Sequence, residues 1–298
     1  MCMPFPFFIQ FINLKNQIMI IRKAERKQAK IKMAIQGPAG SGKTYSSLLL
    51  AKGLCDSLER VCVIDTENGS SDLYSDLGPY STIAISAPFT PEKYIQAIEL
   101  AESEGMQVII IDSLSHSWEY LLDYHSGLPG NSFANWSKVT PRNNALFSKI
   151  LSSKSHVIAT LRVKQDYVLT DKNGKMVPEK VGLKAIQRDG ADYEFTLVFE
   201  VNIKHQVSCN KDRTGLFIDC PEFIIRPTTG ESIKKWCMNG VDNLAQRIQL
   251  AQSIKELGEL YKNNIYNSKD EVLLKQFSER KAALVTQFSN LKPNQNGK

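Results

Sequence analysis

Apolar and polar positions follow two rhythms along this chain, and the rhythm changes once. From Ile31 to about Phe223, short apolar runs alternate with stretches that repeat apolar residues every three or four positions. That alternation predicts an α/β fold, strands of a mainly parallel sheet covered by helices. The runs IKMAIQ (31–36), RVCVIDTE (60–67), STIAISA (81–87), QVIIID (107–112) and HVIATLRV (156–163) read as strands. Helices are expected at 44–58 and 90–105, the second with Thr90 as N-cap, Pro91 in its first turn and Gly105 as its stop. QVIIID shows no polar alternation, as befits a central strand buried on both faces. Residues 115–154 are mixed. Residues 166–180 read as a hairpin around Asn173–Gly174, and 194–203 and 205–210 as strands that close the sheet.

Around Pro221 to Gly240 the strand rhythm stops. Two polar helical stretches follow, 241–264 and 268–291, and then a short polar tail. The expected organisation is a lead (1–29), a core (30–228) and a C-terminal helical hairpin with tail (229–298). Helices of that kind serve as packing or partner surfaces, and nothing in them carries chemistry.

Length and composition fit such an arrangement. The 298 residues are 42% hydrophobic and 23% charged, ordinary for a globular protein with one large core. Six scattered cysteines without CxxC spacing fit reduced thiols in a cytosolic protein better than disulfides, and four unclustered histidines offer no structural metal site. The net charge of +6 comes from residues 1–32, which carry seven Lys/Arg against one Glu; the remainder is balanced. A polyanion must therefore meet a local patch. The first 18 residues are apolar, but Pro4, Pro6 and Lys15 interrupt them, and they lack the order of a signal peptide. They read as a disordered lead or an over-called start ahead of Met19, with a membrane anchor as the rival.

The strongest chemical signal is GPAGSGKT, which matches G-x-x-x-x-G-K-[ST] between a predicted strand and a predicted helix. Its glycines let successive amides point inward at phosphates, and the helix N-terminus adds positive potential. Gly37, Pro38, Ala39, Gly40, Ser41, Gly42, Lys43 and Thr44, with Tyr45 following, are the candidate ATP ligands. Lys43 suits the β- and γ-phosphates, and the Thr44 hydroxyl suits Mg²⁺. Asp112, ending VIIID, fits the acid that holds Mg²⁺ through water. Hydrolysis also needs a carboxylate near the attacking water. Ser113 follows Asp112, so the base must lie elsewhere, and Glu67 at the end of the next predicted strand is the candidate, with Glu119 behind it.

VIDTENGSSDLYSDLG resembles the segment of RecA/RadA-type ATPases that supplies the catalytic glutamate, and VIIIDSL resembles their metal-binding strand. HVIATLRVK resembles their sensor strand, which implies a γ-phosphate-sensing role for Thr160. RDGADYEFTLVFE and VSCNKDRTGLF resemble their closing strands. The resemblance covers roughly residues 30–225 and points to the RecA-core-only recombination and annealing ATPases of phages and prophages. It implies that Lys211 and Arg213 act in trans, as fingers in a neighbouring subunit's site within a ring or filament. Asp212 and Thr214 depart from the family's Asn and Phe. It also implies single-stranded DNA binding by the segment after the sensor strand.

Residues 162–188 fit that role, with seven Lys/Arg against three acids and an aromatic. The candidates are Arg162, Lys164, Tyr167, Lys172, Lys175 and Lys180. A second loop position offers Tyr120, Tyr124, His125, Trp136 and Arg142. Two other classes compete: a P-loop kinase for a small nucleotide, and a non-catalytic switch or loader that meets a phage recombination or replication protein through the C-terminal helices.

Overall fold

The computed structural model describes residues 12–14, 17–19, 29–172, 175–218, 220–238, 248–263 and 271–289. They belong to two compact units, Gln28–Met238 and a second made from Met1–Lys27 with Asn239–Lys298. In the second unit β1 (Ile12–Leu14) and β2 (Gln17–Met19) pair antiparallel. Most of the segment expected to be a disordered lead lies outside the described residues.

The larger unit runs β3 (Lys32–Gly37), α1 (Lys43–Leu54), β4 (Val61–Asp65), β5 (Ser81–Ala84), α2 (Pro91–Ser103), β6 (Val108–Asp112), α3 (Ser115–Ser126), α4 (Ser132–Ser152), β7 (His156–Lys172), β8 (Lys175–Ala185), β9 (Leu197–Val201), β10 (Val207–Asp212) and α5 (Pro227–Met238). The sheet order is β10-β9-β3-β7-β6-β4-β5, with β8 paired to β7. Neighbours from β9 to β5 are parallel, while β10 runs antiparallel to β9 and β8 antiparallel to β7. The mainly parallel α/β sheet expected from the apolar rhythm is therefore present.

Alternation along each strand divides the core between two faces. Met33, Ile35, Val63 and Ile110 pack with α1 and α5, whereas Ala34, Ile64, Ile109 and Ile111 pack with α2 and α4. On the first face α1 and α5 meet through glycines. A Cβ on Gly53 would lie 2.0 Å from the Pro227 carbonyl oxygen, and one on Gly230 would lie 2.2 Å from that of Leu50. The compact unit consequently runs to Met238, past the expected edge at 228, because α5 covers α1.

Local chemistry explains where the helices differ from expectation. α1 stops at Leu54 rather than 58, because Cys55 turns extended and the Ser57 hydroxyl then caps a short 3-10 turn at Leu58–Arg60. The mixed region 115–154 is two helices; Asn131 caps the second through the amides of Phe133 and Ala134, and Pro141 lies inside it. The expected hairpin is an extension of β7 returning as β8, with a register shift between Asp166 and Tyr167, and its Asn173–Gly174 tip lies outside the described residues.

In the second unit, the continuous helix expected at 241–264 is interrupted at Ser253. There Ser253 Oγ accepts from the Glu256 amide while Glu256 accepts from the Gln252 amide, a reciprocal cap that starts a new helix. That helix, α6 (Ile254–Asn263), packs with α7 (Glu271–Ser289) around Ile248, Ala251, Leu257, Leu260 and Leu284. No helix among the described residues is long and apolar enough to cross a membrane.

Candidate functional site

A cavity of about 840 Å³ opens at the carboxyl end of the parallel strands. Open α/β sheets place their ligand crevices at this edge. The loop from Gly37 to Thr44 forms one wall. Gly40 and Gly42 take φ of 76° and 86°, values that a side chain disfavours, and this turns the backbone into a cradle. A Cβ at Gly37 would meet the Val201 carbonyl oxygen at 2.4 Å, so the loop can sit against the end of β9 only because Gly37 has none. The Ser41 hydroxyl is buried there without a hydrogen-bond partner.

Lys43 Nζ donates to the Pro38 carbonyl at 2.9 Å, curled over its own loop. Burial pushes its ammonium below the ordinary lysine range, the carboxylates of Asp112 and Glu67 oppose that, and Arg162 adds to the lowering. Thr44 Oγ1 donates to Asp112 Oδ2 at 2.6 Å. The other oxygen of the buried Asp112 accepts from Thr160 Oγ1 at 2.5 Å. Thr160 thus reaches the site through Asp112 rather than lining the cavity. A hydroxyl and a carboxylate held this close are a hard-oxygen donor pair that fits Mg²⁺.

Glu67 lines the cavity because Asp65 holds its loop. Asp65 is 3% exposed, and its oxygens accept from the amides of Glu67, Gly69 and Ser71 and from the Ser71 hydroxyl. Asp65 and Glu67 share a strand face in sequence, yet one builds the loop and the other faces the ligand space. Tyr45 and Tyr74, with ring centroids 5.5 Å apart, join Leu49, Ile224 and Ile225 at an apolar end of the cavity that suits a nucleobase.

Sequence reasoning missed two polar residues of the cavity and one beside it, and it expected a further cavity residue elsewhere. Lys204 and His205 sit on the β9–β10 turn, and His205, at φ 62°, brings Nδ1 within 2.9 Å of the Ser41 carbonyl oxygen. Its positive φ and its partner lie far apart in sequence, and neither leaves a local signal. His116 Nδ1 lies 2.7 Å from Thr66 Oγ1 beside the cavity, and Arg162, expected among the DNA contacts, lines the cavity itself.

The remaining expected residues lie elsewhere. Lys211 Nζ donates to the Asp192 carbonyl at 2.7 Å, and the Arg213 guanidinium to that of Tyr193 at 2.9 Å. The Arg213 amide donates to Thr196 O, and the Thr196 amide to Lys32 O. Arg213 is therefore level with the start of β3, about 16 Å of strand from Gly37. Asp212 accepts from the amides of Thr214, Gly215 and Phe217 and from the Thr214 hydroxyl, which explains the acid in this turn.

Lys164 borders a groove beside Trp118, Phe133 and Trp136. The side chains of Tyr167, Lys172, Lys175 and Lys180 lie outside the described residues. In the second loop position His125 stacks on Trp136 and Tyr120 on Tyr124, while Arg142 forms a two-bond pair with Glu92.

A glycine cradle at a helix N-terminus, a lysine aimed into it and a Thr–Asp pair on the adjoining strand end define a P-loop nucleotide-binding ATPase. A family model described as an AAA domain matches residues 29–226, and the chain belongs to that family. Comparison with curated proteins gives no match.

Proposed function

We propose that the protein is a Mg²⁺-dependent ATPase that acts on single-stranded DNA in phage-type recombination or annealing. The convergence of Lys43, Thr44, Glu67 and Asp112 on one cavity carries the ATPase part of this reading. Thr44 and Asp112 would hold Mg²⁺, the aspartate through water, and the ion would supply positive charge against that of the phosphates. Lys43 leaves the Pro38 carbonyl for the β- and γ-phosphates, since a phosphate is the stronger acceptor for an ammonium. Glu67 orients the attacking water and accepts its proton. Thr160 keeps Asp112 turned toward Thr44.

Arg213 stands level with the start of β3, away from its own cavity, and Lys211 is turned to the Asp192 carbonyl, so any part they take in hydrolysis is across an interface. That interface is head to tail, with the finger end of one subunit over the cavity of the next, and such repetition makes a ring or a filament. Lys164, Tyr167, Lys172, Lys175 and Lys180, at the base and along the arms of the β7–β8 hairpin, provide the DNA surface.

Phosphate release measured with and without single-stranded DNA and Mg²⁺ tests the whole reading. Turnover that requires Mg²⁺ and rises with DNA supports it. Phosphate transferred to an added nucleoside would make the protein a kinase, and nucleotide binding without turnover would make it a switch.

A further inference from the structure

We propose that Arg162 is a cation for the terminal phosphate of the nucleotide in its own subunit, and that His116 is the residue that positions it. The inference rests on the ATP reading of the cavity and adds a cis-acting group to it.

The sheet puts Arg162 in place. It pairs with Gly37 across β3 and β7, so its backbone adjoins the first residue of the phosphate loop. A period of two puts its side chain on the same strand face as Thr160, which bonds Asp112. Arg162 lines the cavity with Lys43, Thr44, Glu67 and Asp112.

The hydrogen bonds around it have a direction. A guanidinium can only donate, so His116 Nε2, 3.0 Å from Arg162, is the acceptor. The ring proton then sits on Nδ1 and is donated to Thr66 Oγ1 at 2.7 Å. That hydroxyl also accepts the Ser113 amide at 2.9 Å and passes its own proton to the Asp112 carbonyl at 3.1 Å. The donations of Arg162, His116 and Thr66 lead in turn toward the backbone of the residue that faces Thr44. Phe89 stacks on the imidazole with centroids 4.9 Å apart and holds its plane.

Glu119 lies 3.8 Å from the guanidinium, and both side chains are well exposed. A pair this long and this solvated holds an arginine only weakly. The guanidinium is therefore oriented by a neutral ring, retains its charge and stands at the edge of the phosphate cradle. A triphosphate supplies the anion that the relay lacks, whereas a diphosphate ends one group short.

The test measures binding of ADP and of a non-hydrolysable ATP analogue, together with kcat, for wild type, Arg162→Gln, Arg162→Lys, His116→Asn, His116→Gln and, as control, Lys43→Ala. Arg162→Gln should keep its ADP affinity and its nucleotide-free affinity for single-stranded DNA, lose about tenfold in triphosphate preference, and turn over more slowly. Arg162→Lys should recover part of both. Glutamine at 116 places an acceptor near the position of Nε2, so His116→Gln should restore most of the kcat that His116→Asn loses. Unchanged triphosphate preference and kcat in Arg162→Gln would overturn the phosphate role. Loss of nucleotide-free DNA affinity in that variant would return Arg162 to the DNA surface. Equal behaviour of the two His116 variants would overturn the positioning role. Normal turnover by Lys43→Ala would instead overturn the ATP reading of the cavity, an outcome distinct from the others.

Discussion

A buried lysine and a half-buried one stand at opposite ends of the strand that leads into the phosphate loop. Lys32, at its start, donates to the carbonyls of Ser153 and Ser155 and is 5% exposed. Lys43, just past its end, donates to one carbonyl and faces an open cavity. Burial lowers both ammonium groups, that of Lys32 to about 8. The surroundings separate their roles. Lys32 is enclosed by the chain, with the buried His156 beside it accepting from the Ile31 amide at 3.0 Å. Lys43 has carboxylates across the cavity and a partner that it can leave. A lysine enclosed by the chain serves the fold, and one that borders empty space serves a ligand.

The most direct way to break this contrast is to remove each lysine. Lys43→Ala should lower ATP turnover by about 10³-fold and weaken triphosphate binding, with thermal stability near wild type. Lys32→Met should do the reverse, costing about 1–3 kcal/mol in urea unfolding while kcat per folded molecule is unchanged. Stability loss in the first variant or rate loss in the second would erase the distinction.

Arg213, level with Lys32, sharpens it, because on the proposed reading this end reaches a nucleotide only in a neighbouring subunit. Arg213→Ala should bind ATP normally while kcat falls about 10²-fold or more. Mixing it with Lys43→Ala subunits should restore part of the activity, since some interfaces then pair an intact cavity with an intact finger. Mixtures no more active than their components would make this a charged surface turn.

At the cavity end, Glu67→Gln should keep ATP affinity and slow hydrolysis about 10²-fold, because an amide can orient water but cannot take its proton. Wild-type turnover would move the base to Glu119.

The smallest effect belongs to the enclosed end and to acid. Burial pushes the His156 ring down to about 3 from an ordinary value of 6.5. The unfolded chain therefore takes up a proton near pH 6.5 that the folded chain refuses until about pH 3. This stabilising contribution is complete above 6.5 and declines as the pH falls toward 3, by roughly 2 kcal/mol at pH 5. Unfolding measured from pH 7 to pH 4 should show a shallower decline in His156→Asn than in wild type. Parallel curves would refute it.

The cradle was legible because its determinants are consecutive residues, Asp112 because it ends an apolar strand, and Glu67 because it follows one closely. His116, Arg162 and His205 were not, since each meets its partner only after parallel strands bring distant segments together. Arg162 is 46 residues from His116, and His205 is 164 from Ser41. The basic hairpin composition also drew Arg162 toward DNA, although its place in the sheet borders the nucleotide cavity. The α1–α5 contact gave no hydrophobic signal, because glycines make the approach.

Those glycines bear on how the protein can be cut. The family match ends at residue 226, immediately before α5 begins. A fragment trimmed to that match would strip Ile233 and Cys237 from the core on the α1 side of the sheet and bare the groove that Gly53 leaves open. The uncovered helix is the one whose first residue is Lys43. Such a fragment would carry every nucleotide-site residue and still lack the surface that holds the phosphate-loop helix down, and a piece that keeps that surface runs to Met238.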